Sequence, residues 1–307
     1  MHKVIVLTHC NPAYEEAMTK LKLPDLKILP KKTLNLPKAD IWLAEPHIAA
    51  PLLPKGKVLK WIQSTFAGVD ILLKKEHHQD IQLTRIKQIF GPMISEYVFS
   101  YILSRTRQHY HYRQLQRHRR WQTLPYEPLS EKNMLILGTG DIGKHLCETA
   151  NHFGLNTVGV NRNGNCPKPF KKTVNIHKLD QHLPTADIVV CCLPSTDETK
   201  GLFDAKRLGL LKSTSLFINI GRGDLVNHQA LLLHLSLNPA SHAVLDVFEQ
   251  EPLKETHPIW QCPNATITPH VAAPGQIKDV IEQFAENYLR FLKNEPLINK
   301  VDKEIGY

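Results

Sequence analysis

The sequence predicts an α/β protein of two doubly wound parallel-sheet domains, and three features carry that prediction. Its 307 residues favour two domains, each with a core of its own. Short apolar runs bounded by Pro, Gly and polar clusters alternate with helical stretches, as strands of a parallel sheet between helices do. The run Asn133–Leu137 passes straight into Gly138-Thr139-Gly140-Asp141-Ile142-Gly143 and then a helical stretch, Lys144–Phe153. This is GxGxxG in the strand, turn and helix setting that suits a dinucleotide. Gly138 permits the turn, Gly140 lets the backbone approach a pyrophosphate, and Gly143 lets the helix pack close to the strand. The helix start offers N–H groups and a positive dipole end to the phosphates.

The elements follow in order. Lys3–His9 reads as the first strand. Asn11-Pro12 reads as an N-cap followed by proline at the first helical position, with a helix to Lys22. Asp25–Leu29, Ile41–Ala44, Val58–Gln63 and Gln82–Ile86 are short strands, and Ala67-Gly68-Val69 turns into a helix over Asp70–Lys75. Pro92 to His118 reads as one helix, which at 1.5 Å per residue would run ~40 Å. Its first half, with Val98, Tyr101 and Ile102, would pack on a sheet, and its second half would pass along a neighbour. Further strands are expected at Asn156–Val160, Ile188–Cys192, Ser215–Ile220, His242–Val247 and Ala265–Ile267. Helices are expected around 205–211 and 227–236, with a last one over Gln276–Lys293.

Composition narrows the classes. No run approaches the ~18–20 apolar residues of a membrane span. The apolar start Val4–Leu7 is too short for a signal peptide and reads as a strand. The six cysteines form no CxxC pair, a usage that suits a reducing cytoplasm. Part of the net charge of +9 is concentrated between Tyr97 and Tyr126, which hold six arginines and no acidic residue. No nucleic-acid motif accompanies that charge, so a solvated or subunit-facing helix is expected rather than nucleic-acid binding. His109, His111 and His118 lie there without Cys or carboxylate partners at ligand spacing, so no metal is expected.

Three residues suggest chemistry. Arg222 follows the apolar run Phe217–Ile220, Glu251 lies 29 residues on in Asp246–Pro252, and His270 a further 19 in Thr268-Pro269-His270. Each comes just after a strand-like run, where doubly wound proteins place ligands. A guanidinium that forks onto a carboxylate, an imidazole, and a carboxylate that raises its basicity suit proton-coupled chemistry on a small anion.

With these motifs in this order, the chain resembles the D-isomer-specific 2-hydroxyacid dehydrogenase family, and within it the glyoxylate/hydroxypyruvate reductases. The resemblance rests on Gly138–Gly143, Gly221-Arg222-Gly223, Asp246-Val247-Phe248 with Glu251-Pro252, and Pro269-His270. Closer cues are Ala67-Gly68-Val69-Asp70, Ser95-Glu96-Tyr97, Trp260-Gln261, Ile267–Ala273 and the ending Gly306-Tyr307. It implies a Rossmann nucleotide-binding domain, 99–275, inserted into a flavodoxin-like substrate domain formed by 1–98 and 276–307, with two helices as a hinge. It implies hydride transfer to a small 2-oxo acid with His270 as proton donor, Glu251 as its partner and Arg222 on the substrate. The products would be glycolate from glyoxylate and D-glycerate from hydroxypyruvate. Ala67, Gly68 and Val69 would receive the substrate carboxylate, and Trp260 would limit pocket size. Cys192, Leu193, Pro194, Ile220, Gly221 and Asp246 would line the cofactor, with Met93 and Trp121 as further candidates. A homodimer is implied.

Cofactor choice turns on one departure. NAD sites of this fold place an acid beyond the glycines to hold the ribose 2′-OH. Here Asn161 stands 18 residues after Gly143, and Arg162 follows it. Loss of the acid and gain of a phosphate-gripping guanidinium predict a preference for NADP(H), with NAD(H) as the second cofactor. Alternatives are a broader D-2-hydroxyacid dehydrogenase and a cofactor-sensing corepressor on the same fold.

Overall fold

The computed structural model describes residues 1–73 and 81–302. The end of the expected helix Asp70–Lys75 and the ending Gly306-Tyr307 lie outside the described residues. By internal contacts the chain divides into two compact units, Met1–Ile89 with Gly275–Tyr307, and Phe90–Pro274. Each holds one wholly parallel sheet, so the two-domain α/β expectation holds.

The first unit contains β1 (His2–Leu7), α1 (Asn11–Lys20), β2 (Leu26–Leu29), β3 (Ile41–Ala44), α2 (Pro46–Ala49), β4 (Trp61–Ser64) and β5 (Gln82–Thr84). The sheet order is β2-β1-β3-β4-β5. Val4–Leu7 and Ile41–Ala44 are fully buried, which is why these strands read as unbroken apolar runs. The helix Ile277–Leu292 closes one face, with Phe284 stacked on Trp61 at 5.2 Å between centroids. Two expectations shift here. Asn11 is not the N-cap; Cys10 holds that place, and the Asn11 side chain instead accepts from the Thr8 N–H at 2.7 Å. The strand expected from Val58 begins at Trp61, because Lys60 and Trp61 are the first to bond across, both to Asp40 O.

The second unit contains α3 (Phe90–Thr106), α4 (His109–Arg117), β6 (Asn133–Leu137), α5 (Asp141–His152), β7 (Asn156–Asn161), β8 (Thr173–Asn175), α6 (Leu179–His182), β9 (Ile188–Cys191), α7 (Ala205–Gly209), β10 (Leu216–Asn219), α8 (His228–Leu237), β11 (His242–Leu245) and β12 (Ala265–Ile267). The order is β12-β11-β10-β9-β6-β7-β8. From β6 the chain winds outward to β8, then returns to β9 on the other side of β6. The crevice between the ends of β6 and β9 is therefore the topological switch point.

The single helix expected over Pro92–His118 is two helices. Gln108 takes a left-handed conformation, φ 57° and ψ 36°, and ends α3. Nothing in α4 is buried, so no packing holds it in line with α3. Gln108 bonds Pro125 O at 2.9 Å, and Arg107 lies 4.3 Å over the Tyr126 ring, which fixes the returning segment. The expected domain boundary at residue 98 falls inside α3, and the contacts keep that helix whole in the second unit. Among the described residues no helix is long and apolar enough to cross a membrane.

Candidate active site

The glycine loop lies at the switch point. Gly138 has φ +104°, and the Cys192 thiol reaches Leu137 O at 3.0 Å, so the loops after β6 and β9 touch. A Cβ on Gly143 would stand 1.8 Å from Gly138 O, so only glycine lets α5 start this close to the turn. A Cβ on Gly140 would meet no protein atom within 4 Å; this bare, exposed backbone is what a pyrophosphate needs to approach. Lys144 N–H bonds Gly140 O at 2.9 Å, so the N–H groups ahead of it stand outside the helix ladder. These features fit a dinucleotide phosphate. Leu193 is buried and Pro194 half-buried just beyond β9, and Ile220 and Gly221 are buried just beyond β10.

Arg222, Glu251 and His270 come together at the ends of β10, β11 and β12. Gly223 explains how closely the first two loops meet, since a Cβ there would fall 1.9 Å from the Phe248 carbonyl carbon. Glu251 Oε1 accepts the Phe248 N–H at 2.9 Å, which orients the carboxylate. Its Oε2 lies 2.8 Å from His270 Nδ1. Burial pushes the Glu251 carboxyl up, but the His270 bond, the Phe248 N–H and the Arg222 charge outweigh it and hold the carboxyl below its usual range. The Glu251 bond raises the His270 imidazole above its ordinary value, against burial and the Arg222 charge. With Nδ1 on Glu251, Nε2 is the ring atom left for a substrate oxygen. Arg222 donates to Gly221 O at 2.7 Å from an extended backbone.

Asp246 takes a place the sequence reading did not foresee. It is 1% exposed, and its carboxylate accepts from the Thr268 hydroxyl at 2.5 Å and from the Val271 and Ala272 N–H groups at 2.8 and 3.0 Å. The Tyr97 hydroxyl lies 2.6 Å from the same Thr268 oxygen. His270 N–H bonds Asp246 O at 2.8 Å, with φ 55° at His270. Asp246 thus clamps both sides of the histidine loop. The signal was present in part, since Tyr97 and Thr268 belong to motifs already singled out, but their partnership is a long-range contact.

At the end of β7, Asn161 donates to the Thr139 hydroxyl at 2.8 Å and to Asn165 O at 2.7 Å, and accepts the Gly164 N–H at 2.6 Å. It joins the glycine loop to the following turn. Arg162 is exposed and pairs with Glu198 at 3.1 Å, a carboxylate the sequence reading overlooked.

The remaining candidates are dispersed. Ala67, Gly68 and Val69 follow β4 in the first unit, where Val69 is buried and starts a short 3-10 turn. Trp260 is half-exposed, with its indole N–H on Lys254 O at 2.9 Å. Met93 is half-buried in α3, and Trp121 is fully exposed beyond α4. A groove of about 730 Å³ lies between α8 and Pro258–Cys262, and none of the candidate residues lines it.

A dinucleotide loop at a switch point, beside a converging arginine, carboxylate and imidazole, defines a nucleotide-dependent oxidoreductase of the doubly wound class. Residues 99–272 match the D-isomer specific 2-hydroxyacid dehydrogenase, NAD binding domain. The chain belongs to the D-isomer specific 2-hydroxyacid dehydrogenase family and is an NAD(P)-dependent enzyme. Glyoxylate/hydroxypyruvate reductase A of Photorhabdus laumondii is 32% identical over 93% of each chain. A family protein of Aeromonas salmonicida is 42% identical, covers 98% of this chain and 99% of its own, and superposes with TM-score 0.92. The NADPH-dependent glyoxylate/hydroxypyruvate reductase of Sinorhizobium meliloti, solved with NADP and sulfate, is 28% identical over 100% of both chains, with TM-score 0.89.

Proposed function

We propose that the chain reduces small 2-oxo acids, glyoxylate and hydroxypyruvate foremost, to glycolate and D-glycerate, and prefers NADPH to NADH. The observation that carries the chemistry is the His270–Glu251 pair beside Arg222. A nucleotide held at the Gly138–Gly143 loop would supply the hydride for the substrate carbonyl carbon. His270 gives the carbonyl oxygen a proton from Nε2, and Glu251 holds the ring and favours its charged form. Arg222 fixes the substrate carboxylate or the carbonyl oxygen through its planar fork. The Ala67-Gly68-Val69 turn offers backbone N–H groups to the substrate carboxylate.

Asn161 in place of an acid, and the adjacent Arg162, support NADPH. The reductases of Photorhabdus and Sinorhizobium support the substrate class. The reading includes a second copy of the chain along α4, whose Tyr110 is 67% exposed. Initial rates with a panel of 2-oxo acids, each with NADPH and NADH, test it. Glyoxylate and hydroxypyruvate with NADPH should give the highest kcat/KM. Faster turnover of phenylpyruvate would favour a broader D-2-hydroxyacid dehydrogenase, and no turnover of any 2-oxo acid would refute the reading.

A further inference from the structure

We propose that His9, Glu45 and His47 bind a divalent first-row transition metal ion of the Zn²⁺ class. The site belongs to the first unit and is independent of the activity proposed above. In the order β2-β1-β3-β4-β5 the chain reverses direction of winding between β1 and β3, so the crevice at their carboxyl ends is that sheet's switch point. His9 lies just beyond β1, Glu45 directly follows β3, and His47 falls in α2. His9 is distant in sequence from Glu45 and His47, and the parallel pairing of β1 with β3 brings it to them.

The donor set suits a metal. Glu45 is 9% exposed, and its ion-pair partners among the described residues are two imidazoles, with no Lys or Arg. A buried carboxylate without a fixed cation is costly, and a metal ion removes that cost. Its Oε1 accepts the His9 N–H at 2.9 Å, which orients the group. Its Oε2 faces His9 Nδ1 at 2.6 Å and His47 Nε2 at 3.4 Å, and the three ligand atoms lie within 4.8 Å of one another. The imidazoles stack at 5.2 Å, so each presents a nitrogen to the same oxygen. Metal–ligand distances of about 2.0–2.2 Å need only a small opening of the His9–Glu45 contact. Both histidine side chains reach solvent, at 71% and 49% exposed, so the ion has a way in. Two nitrogens and one oxygen favour Zn²⁺, Co²⁺, Ni²⁺ or Cu²⁺ over Mg²⁺ or Ca²⁺, which want more oxygens. A tetrahedral ion would keep one position open for water or a small ligand.

The test is titration of the untagged, chelator-treated full chain with Co²⁺ by visible absorption and with Zn²⁺ by calorimetry. One equivalent should bind, with bands of nitrogen and oxygen ligation and no thiolate band. His9→Gln and His47→Gln should each weaken binding at least about tenfold, as even outer-shell changes do at metal sites. Both sit at the surface, and an unchanged Tm would show that each variant is folded. Absence of uptake, a thiolate band, or equal uptake in both variants would overturn the proposal.

Discussion

Glu251 Oε2 lies 2.8 Å from His270 Nδ1, while the other Glu251 oxygen is held by the Phe248 N–H at 2.9 Å. The carboxylate is therefore anchored by its own loop before it meets the imidazole. This gives the pair a fixed geometry and the imidazolium a standing partner.

The pH dependence follows from that pair. His270 is raised by its Glu251 bond, so its protonated form persists above the ordinary histidine range. A reductase that needs this acid should lose kcat/KM as pH rises through the raised value, and be active below it. Glu251→Gln removes the charge, so the alkaline limb should move to lower pH and the rate at neutral pH should fall. A pH–rate profile of both proteins checks this; an unmoved limb would remove Glu251 from the account.

Arg222→Lys keeps the charge but loses the planar fork. Its kcat/KM for glyoxylate should fall sharply, with the Kd of the nucleotide little changed. Steady-state rates and a nucleotide titration check the split.

Asp246→Asn tests the clamp on the histidine loop. An amide in place of one oxygen would turn a donor toward the Val271 or Ala272 N–H, leaving buried donors unpaired at about 1–3 kcal/mol. The variant should melt lower and lose kcat through misplacement of His270. Thr268→Val should show a milder form of both effects in thermal melts and rates.

Arg162 must leave Glu198, 3.1 Å away, to receive a 2′-phosphate, and Glu198 carries the same sign as that phosphate. Glu198→Gln should therefore lower the KM for NADPH and leave that for NADH nearly unchanged. Arg162→Ala should raise the KM for NADPH. Equal response of the two cofactors in both variants would argue against a 2′-phosphate at Arg162.

Buried parallel strands were the most legible part of the fold. Ile41–Ala44 and Asn133–Leu137 keep the expected bounds, because burial and pairing on both sides force a local apolar run that turns interrupt. The break at Gln108 was not legible, since no Gly or Pro marks it and a polar residue took the left-handed conformation. The edge strand Thr173–Asn175 follows a Pro- and Lys-rich stretch and has a partner on one side only, so its sequence carries little strand signal. In the candidate site, Arg222, Glu251 and His270 could be read from motifs that end strands. The Asp246 clamp, the Arg162–Glu198 pair and the His9–Glu45–His47 cluster could not, because each is made by residues that only the parallel pairing or loop packing brings together.

The most direct measurement is single-turnover and steady-state reduction of glyoxylate by His270→Asn with NADPH. The account predicts kcat lower by about 10²–10⁴-fold, the usual share of general acid catalysis, with the nucleotide Kd unchanged. Turnover near that of the unaltered protein would contradict it.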